Sequence, residues 1–131
     1  MIEVSAAIIF LNNKILCFQR GKAKYDYVSY KYEFPGGKLN VNEQPETALK
    51  REIKEELDIN IKITKKFKTI FHKYPDFEIK MHSFICNTNS FNGILKEHID
   101  YKLMKIKDLN TLDWIAADIE LVKALMQQYD D

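Results

Sequence analysis

A predicted helix that follows two adjacent glycines constrains this sequence more than any other feature. Residues 46–57 have the apolar spacing of an amphipathic helix, and within it Glu52, Glu55 and Glu56 stand at i, i+3 and i+4. At that spacing the three carboxylates lean to one side of the helix. Acids at the edge of a buried stripe face a cleft rather than open solvent, so this helix is a candidate site. The apolar stripe beside the acids consists of Leu49, Ile53 and Leu57.

Two interpretations of the acidic side of this helix compete. Like-charged neighbours at these spacings cost about 0.2–0.5 kcal/mol per pair in an isolated helix, and a hard divalent cation such as Mg²⁺ would convert that repulsion into binding. The alternative is a solvated, charge-laced face, which the favourable i,i+4 pairs Glu46–Lys50 and Arg51–Glu55 support. Helix chemistry alone does not separate the two interpretations.

The composition is that of an ordinary globular chain. Its 131 residues suit one domain spanning 1–131, with 46% hydrophobic and 30% charged residues. The net charge of +1 gives no argument for a nucleic-acid polymer as partner, and no apolar run approaches membrane-spanning length. Cys17 and Cys86 each stand alone within apolar runs, so we expect reduced core cysteines in a cytoplasmic protein.

Apolar patterns along the chain predict several strands and two helices. The run of residues 6–10 suggests a strand buried on both faces, and Asn12-Asn13 suggests a two-residue hairpin turn. Residues 21–30 should form a mobile loop, and Gly36-Gly37 should form a turn at which the backbone approaches a ligand closely. Strands interleaved with two helices predict the α/β class, an α/β/α sandwich around a mixed β-sheet. The predicted strands are 2–11, 14–20, 31–34, 59–71, 77–86 and 101–106, with helices at 46–57 and 116–129 and a short helical turn at 107–112.

The stretch from Gly37 to Ile59 resembles the Nudix box, whose pattern is G-x5-E-x7-R-E-U-x-E-E-x-G-U with U a bulky aliphatic residue. Only Asp58 departs from the pattern, where the family has glycine. That glycine ends the helix in a left-handed conformation, which Asp tolerates better than most residues do. Fixed spacing on the expected loop, helix and strand makes the signal specific. The matching residues are Gly37, Glu43, Arg51, Glu52, Ile53, Glu55, Glu56 and Ile59.

The resemblance extends beyond the box to the MutT-like branch of the family, the nucleoside triphosphate pyrophosphohydrolases that sanitise nucleotide pools. Residues 33–38, 74–76 and 112–118 carry this wider similarity. It implies the Nudix α/β/α sandwich and Mg²⁺ or Mn²⁺ as cofactor. The catalytic and metal-ligating residues that it implies are Glu52, Glu55, Glu56 and Glu97, with the Gly36 carbonyl as a further metal ligand, Lys38 as a phosphate contact, and an Arg51–Glu43 pair that holds the loop carrying Gly37.

The activity implied by the resemblance is metal-dependent hydrolysis of nucleoside triphosphates to the monophosphate and pyrophosphate. Water attack on a phosphoanhydride needs charge neutralisation and an oriented nucleophile, which a cluster of carboxylates and cations supplies. The same box also serves enzymes that split ADP-ribose, dinucleoside polyphosphates or capped RNA. A non-catalytic nucleotide-binding regulator is the alternative from another class, and it would be expected to lose one of the box glutamates. The assembly is expected to be a monomer or a homodimer.

Several other polar and aromatic residues have a functional and a structural interpretation. Glu97 is either a metal ligand or a surface acid, and Arg20 either reaches a phosphate or simply ends a strand in solvent. Trp114 is either a base-stacking wall or core, and core is the more frequent role. The three histidines show no spacing typical of a ligand set and are interpreted as ordinary residues of strands or loops. They are His72, His82 and His98.

Asp118 is the candidate for recognition of the base. The 8-oxo-dGTP branch carries an asparagine at the matching position, and an amide suits oxidised guanine because it both donates and accepts. An ionised Asp only accepts, so it favours the amino group of cytosine, as in MutT-like CTP pyrophosphohydrolases. A buried, protonated Asp would again both donate and accept, which keeps oxidised guanine as the alternative. A structural alternative is that Asp118 caps the start of the last helix.

Overall fold

The computed structural model, which describes residues 1–129, begins with the predicted hairpin. Strand β1 (Ile2–Leu11) pairs with β2 (Lys14–Arg20) in antiparallel register. The turn residues Asn12 and Asn13 have φ values of 52° and 66°, the left-handed conformation that a two-residue hairpin requires and that Asn tolerates. Asp130 and Asp131, the last residues of the predicted domain, lie outside the described residues.

One mixed sheet contains all seven strands. The order is β3-β2-β1-β6-β5, with β4 paired to β1 and β7 paired to β2. The pairing of β1 with β6 is parallel, whereas the other pairings are antiparallel, so the predicted mixed sheet is confirmed. The remaining strands are β3 (Tyr32–Glu33), β4 (Gly36–Lys38), β5 (Lys62–Lys73), β6 (Glu78–Asn87) and β7 (His98–Met104).

Two helices cover the two faces of this sheet, which confirms the predicted α/β/α sandwich. Helix α1 spans Pro45–Leu57 and helix α2 spans Ala116–Gln128. Alternate residues of β1 belong to different hydrophobic clusters, because successive side chains of a strand point to opposite faces. Ala7 and Ile9 share a cluster with the apolar stripe of α1. Ala6 and Ile8 share the other cluster with Leu121, Val122 and Leu125 of α2.

The ends of α1 follow the predicted chemistry. Pro45 occupies the first turn, where its missing N–H has no helical partner to lose. Asp58 follows the helix with φ 54° and ψ 39°, the left-handed conformation in which the family has glycine. Its backbone N–H donates to the carbonyl of Lys54 at 3.1 Å, so the substitution preserves the helix end.

One prediction about local structure was wrong, because Gly36 and Gly37 lie in the short strand β4 rather than in a turn. Residues 21–30, predicted as a mobile loop, contain a 3₁₀ turn at Asp26–Val28, in which Val28 is buried and the rings of Tyr25 and Tyr27 stack. The aromatic side chains therefore pack this segment onto the domain. No helix within residues 1–129 has the length and apolar character needed to span a membrane.

Candidate active site

The two glycines of β4 bring the chain against the central strand of the sheet. In the antiparallel pairing of β4 with β1, Gly37 lies opposite Ser5 and Gly36 opposite Ala6. A Cβ atom on Gly36 would lie 1.9 Å from the Ser5 carbonyl oxygen, so only glycine fits there. A Cβ atom on Gly37 would lie 2.5 Å from the carboxyl carbon of Glu52. The bare backbone of β4 therefore forms one wall for the acids of α1.

Arg51 connects helix α1 to the loop that leads into it. Its Nε donates to Glu43 Oε2 at 3.0 Å and its Nη2 donates to Glu43 Oε1 at 2.9 Å, a bidentate contact. Nη2 also donates to the Lys38 carbonyl at 3.1 Å, and Nη1 donates to Glu52 Oε1 at 2.9 Å. The Arg51 hydrogen bonds, followed by one from the Asn40 backbone N–H, lower the pKa of Glu43 to about 2. The structure thus joins Arg51 and Glu43 as the resemblance implied.

Glu56 is the buried acid of the site. It is 4% exposed, and its Oε2 has no hydrogen-bond partner among residues 1–129. Burial, and next the nearby negative charges of Glu97, Glu33 and Glu52, raise the pKa of Glu56 to about 9. A carboxyl group in this setting lacks the positive charge that would let it ionise near neutral pH.

The three helix acids differ in their surroundings. Glu52 and Glu56 line a cleft together with Glu97, which comes from the segment before β7. The side chain of Glu55 is 58% exposed and lies 3.7 Å from Arg51, and it does not line the cleft. Helical spacing predicted a common direction for all three, but the Glu55 side chain lies towards solvent. Among residues 1–129, no three His, Cys, Asp or Glu side chains are positioned as they stand to hold a metal ion.

The cleft has a volume of about 820 Å³ and runs from these acids to the start of α2. Its lining combines acidic, basic and apolar side chains, a combination that suits a ligand with a charged part and an apolar ring. Basic side chains come from Arg20, Lys22, Lys24 and Lys38. Apolar side chains come from Val4, Phe34, Phe77, Ile79 and Met81.

Asp118 lies at the apolar end of this cleft. It is 4% exposed, and its Oδ2 accepts a hydrogen bond of 2.8 Å from the backbone N–H of Phe34. Burial, and next the negative charge of Glu33, raise the pKa of Asp118 well above its ordinary value. The helix-capping interpretation is wrong: Ile115 occupies the N-cap position without a side-chain cap, and Asp118 lies within the first turn. Asp118 therefore belongs to the cleft.

Sequence reasoning missed a polar cluster beside the acids. Glu33 was not singled out, and His98 was interpreted as an ordinary residue of a strand or loop. In the structure, His98 Nε2 lies 2.9 Å from Glu33 Oε2, and Arg20 Nη1 lies 3.5 Å from Glu33 Oε1. All three residues line the cleft. They are far apart in the sequence, and only the pairing of β3 and β7 with β2 brings them together.

The other candidate residues take structural positions. The indole N–H of Trp114 donates to the Leu109 carbonyl at 2.7 Å, and its ring packs on Phe34 with centroids 4.6 Å apart, so the core interpretation holds. His82 Nε2 lies 2.6 Å from Glu3 Oε2. His72 packs edge-on against an aromatic ring, that of Tyr74. These two histidines do not line the cleft.

Comparisons with known proteins agree with this geometry. Residues 1–125 match the NUDIX domain. The chain is 34% identical over 128 residues to the CTP pyrophosphohydrolase of Escherichia coli, covering 96% of this chain and 92% of that protein. It is 44% identical to the 8-oxo-dGTP diphosphatase of Proteus vulgaris, but over 54 residues, which are 41% of this chain and 48% of that protein.

A solved structure gives the same result for the whole fold. The solution structure of MutT, a Nudix hydrolase of methicillin-resistant Staphylococcus aureus, superposes with a TM-score of 0.75 and 36% identity, covering 97% of this chain and 96% of that one. The Nudix box, the mixed sandwich and the acid-lined cleft thus occur together in one chain. This chain belongs to the Nudix family and is a hydrolase of phosphoanhydride bonds.

Proposed function

We propose that this protein hydrolyses ribo- or deoxyribonucleoside triphosphates to the monophosphate and pyrophosphate, with Mg²⁺ or Mn²⁺ as cofactor. The relatives named above are a CTP pyrophosphohydrolase and an 8-oxo-dGTP diphosphatase, which supports this substrate class. The observation that carries the proposal is the buried Glu56 carboxyl, with its unpartnered oxygen, among other acids at one end of a nucleotide-sized cleft. Removing nucleotides from the cellular pool is the role that follows.

The residues present fit a hard divalent cation. Oxygen donors are the ligands that Mg²⁺ prefers, and here the buried Glu56 carboxyl faces other acids, with no positive side chain of the described residues beside it. The proposed ligands are Glu52, Glu56, Glu97 and the Gly36 carbonyl, with Glu55 included because of the family resemblance. A bound cation would supply charge neutralisation at the phosphates.

The chain's own residues account for binding and orientation. Lys38 and Arg20 lie on the cleft wall, where their positive charges can contact the phosphate chain. Glu56 holds a proton near pH 7 while no positive charge faces it, and its carboxyl would ionise with a cation beside it. An ionised carboxylate at this position orients the attacking water or accepts its proton. The box therefore provides both charge and geometry for the hydrolysis.

The base would occupy the apolar end of the cleft, near Asp118. The preference for cytosine assumed an ionised Asp118, whereas burial raises its pKa and favours the neutral carboxyl. A neutral carboxyl both donates and accepts, so it suits oxidised guanine as well as cytosine. We therefore propose two candidate substrates, dCTP or CTP and 8-oxo-dGTP.

The test is a panel of unmodified and oxidised nucleotides with Mg²⁺, in which released pyrophosphate and phosphate are measured separately. We expect pyrophosphate and a nucleoside monophosphate from at least one triphosphate, and loss of turnover in Glu56→Gln. Glu46→Gln is the matched control, because Glu46 is an exposed acid in the first turn of the same helix. Hydrolysis of ADP-ribose or dinucleoside polyphosphates in place of triphosphates would overturn the proposal. Binding without turnover would favour the regulator alternative.

A further inference from the structure

A buried histidine contacts a cleft carboxylate that the proposed chemistry has not yet used. His98 Nε2 lies 2.9 Å from Glu33 Oε2, and the His98 side chain is 1% exposed. Because an ionised carboxylate only accepts, the imidazole Nε2–H is the donor in this contact. Glu33 is held from the other side by Arg20, whose Nη1 lies 3.5 Å from Oε1. Both oxygens of Glu33 therefore have a partner.

The sheet register explains why this contact forms. Glu33 of β3 lies opposite Phe18 of β2, and His98 of β7 lies opposite Arg20 of the same strand. Phe18 and Arg20 are two apart on β2 and share a face. A register shift between Gln19 and Arg20 brings His98 opposite Arg20, so Glu33 and His98 reach that face across the end of β2. The imidazole ring also packs on Phe18, with ring centroids 5.3 Å apart. Its orientation is thus fixed by the strand and by the aromatic ring.

The second nitrogen of the ring has no partner. Nδ1 of His98 is buried without a hydrogen bond among residues 1–129. Because Nε2 faces the Glu33 carboxylate, the contact places a proton on Nε2 and leaves Nδ1 as the nitrogen without a partner in this part of the chain. With the proton on Nε2, the His98 side chain donates its hydrogen bond to Glu33.

Glu33 lies between the two working ends of the cleft. Its charge acts on Glu56 at the acid end and on Asp118 at the base end. The residue that follows it, Phe34, donates the backbone hydrogen bond to Asp118. A change in the position of Glu33 would therefore change the electrostatic environment of Glu56, proposed for catalysis, and of Asp118, proposed for base recognition.

We infer that His98 is a positioning residue, which acts through Glu33 to fix the carboxylate whose charge acts on both Glu56 and Asp118. The side-chain hydrogen bond of His98 goes to Glu33, so its effect on the reaction passes through that one contact. The kinetic arm of its test rests on the proposed function, whereas the binding arm does not.

The test compares two amides that replace the imidazole. Glutamine can place an amide N–H near the position of Nε2, whereas the shorter asparagine places it near Nδ1. We expect His98→Asn to lower kcat/KM for the best triphosphate by about 10–100-fold, the usual cost of losing an outer hydrogen-bond partner of a site residue. His98→Gln should stay within a few-fold of the parent. Equal losses in the two variants would show that His98 only fills space.

A double-mutant cycle shows whether the effect passes through Glu33. In a Glu33→Gln background, His98→Asn should cost little further activity, because the charged acceptor is already absent. The same cost in both backgrounds would overturn the inference and would place the effect elsewhere, for instance at the adjacent Glu97. If His98→Asn does not fold, Glu33→Asp is the second variant: it keeps the charge but shortens the reach to the imidazole, and it should reproduce the loss.

A binding measurement separates this inference from the proposed function. Trp114 is the single tryptophan of the chain and packs against Phe34, so its fluorescence can report a monophosphate in the cleft. Titration with dCMP and with 8-oxo-dGMP should show weaker binding for His98→Asn than for His98→Gln. A parent that binds a monophosphate but hydrolyses no triphosphate would refute the proposed function alone. A parent that neither binds nor hydrolyses would refute both.

Discussion

The backbone N–H of Phe34 donates a 2.8 Å hydrogen bond to Oδ2 of Asp118, which lies 84 positions later in the chain. Phe34 stands between Glu33 and the β4 glycines, so the same short segment contributes to the acid end and to the base end of the cleft. A substitution at Asp118 should therefore affect both stability and base choice, and the two effects can be measured separately.

Asp118→Asn should stabilise the protein at neutral pH. In the unfolded chain the carboxyl titrates near its ordinary pKa of 3.8, whereas burial keeps the folded carboxyl neutral to a much higher pH. The unfolded state loses its proton first, so stability falls as the pH rises above about 4, and an amide cannot show that fall. The gain in Tm should be larger at pH 8 than at pH 5 and small near pH 3. A gain that shrinks with rising pH would contradict this ionisation behaviour.

Base choice should also respond to Asp118→Asn. An amide and a neutral carboxyl both donate and accept, but only the carboxyl can ionise and become a pure acceptor for an amino group. We expect the ratio of kcat/KM for dCTP to that for 8-oxo-dGTP to rise in the parent as the pH is raised and the carboxyl ionises, and to stay constant in the variant. The measurement includes 5-methyl-dCTP to report the space around the cytosine ring. The same pH dependence of the ratio in parent and variant would remove Asp118 from base recognition.

Glu56→Gln should abolish Mg²⁺-dependent turnover and raise the metal-free Tm. The folded pKa of about 9 lies above the ordinary value of 4.5, so ionisation of the unfolded chain lowers stability progressively between those two pH values. The glutamine variant does not lose stability in this way, so the difference between its Tm and that of the parent should grow from about pH 5 to pH 9. Glu55→Gln is the comparison, because its exposed side chain should leave the metal-free Tm almost unchanged. Near-normal activity of Glu56→Gln would refute the assignment of the catalytic centre.

Arg51→Lys should lower both activity and stability. A lysine has no planar fork, so it cannot keep both contacts to Glu43 together with the contacts to Lys38 and Glu52. Hydrogen bonds to charged groups contribute about 1.5–3 kcal/mol, so we expect a clear fall in Tm on thermal unfolding. The control is Lys54→Gln, which removes only an exposed ion pair and should cost less than about 1 kcal/mol. Equal Tm values for Arg51→Lys and the parent would argue against its structural role.

Gly37→Ala should mainly lower activity, whereas Gly36→Ala should mainly lower stability. The new Cβ at Gly37 meets the end of the flexible Glu52 side chain, so activity should fall with a modest loss of stability. The new Cβ at Gly36 meets the Ser5 backbone oxygen and cannot be accommodated without separating β4 from β1, so stability should fall by about 1–3 kcal/mol or more. Activity assays and thermal unfolding distinguish the two outcomes. Similar stability of the two variants would mean that β4 can move away from β1.

Local sequence patterns were sufficient for the elements and for the acidic helix. The hairpin at Asn12-Asn13 and the end of α1 at Asp58 were predictable because the chemistry of each lies within a few residues. The pairing of Arg51 with Glu43 was predictable only through the resemblance, since side chains eight positions apart across a loop leave no periodic pattern. The positions of these residues in the structure agree with that resemblance.

Contacts between residues that are far apart in the sequence could not be predicted from local patterns. The Glu33–His98 contact depends on two strands that flank β2, and neither residue carries a local signal of it. The exposed position of Glu55 differs from the common direction that helical spacing favours, because spacing alone does not say where the cleft beside the helix ends. The glycines of β4 were interpreted as a turn because glycine pairs usually mark turns, whereas here they permit close pairing with a central strand.

The pairing of β4 with β1 also determines how the site should behave in hydrogen exchange. The catalytic segment is hydrogen-bonded on both sides of the glycines, with Ala7 N–H donating to the Pro35 carbonyl and Leu39 N–H donating to the Glu3 carbonyl. Central strands open only with the global unfolding of a domain, whereas edges and loops open locally. The Ala7 amide proton of the central strand should consequently be among the slowest to exchange, so the β4 wall of the site would separate from the sheet at this bond only when the whole fold is lost.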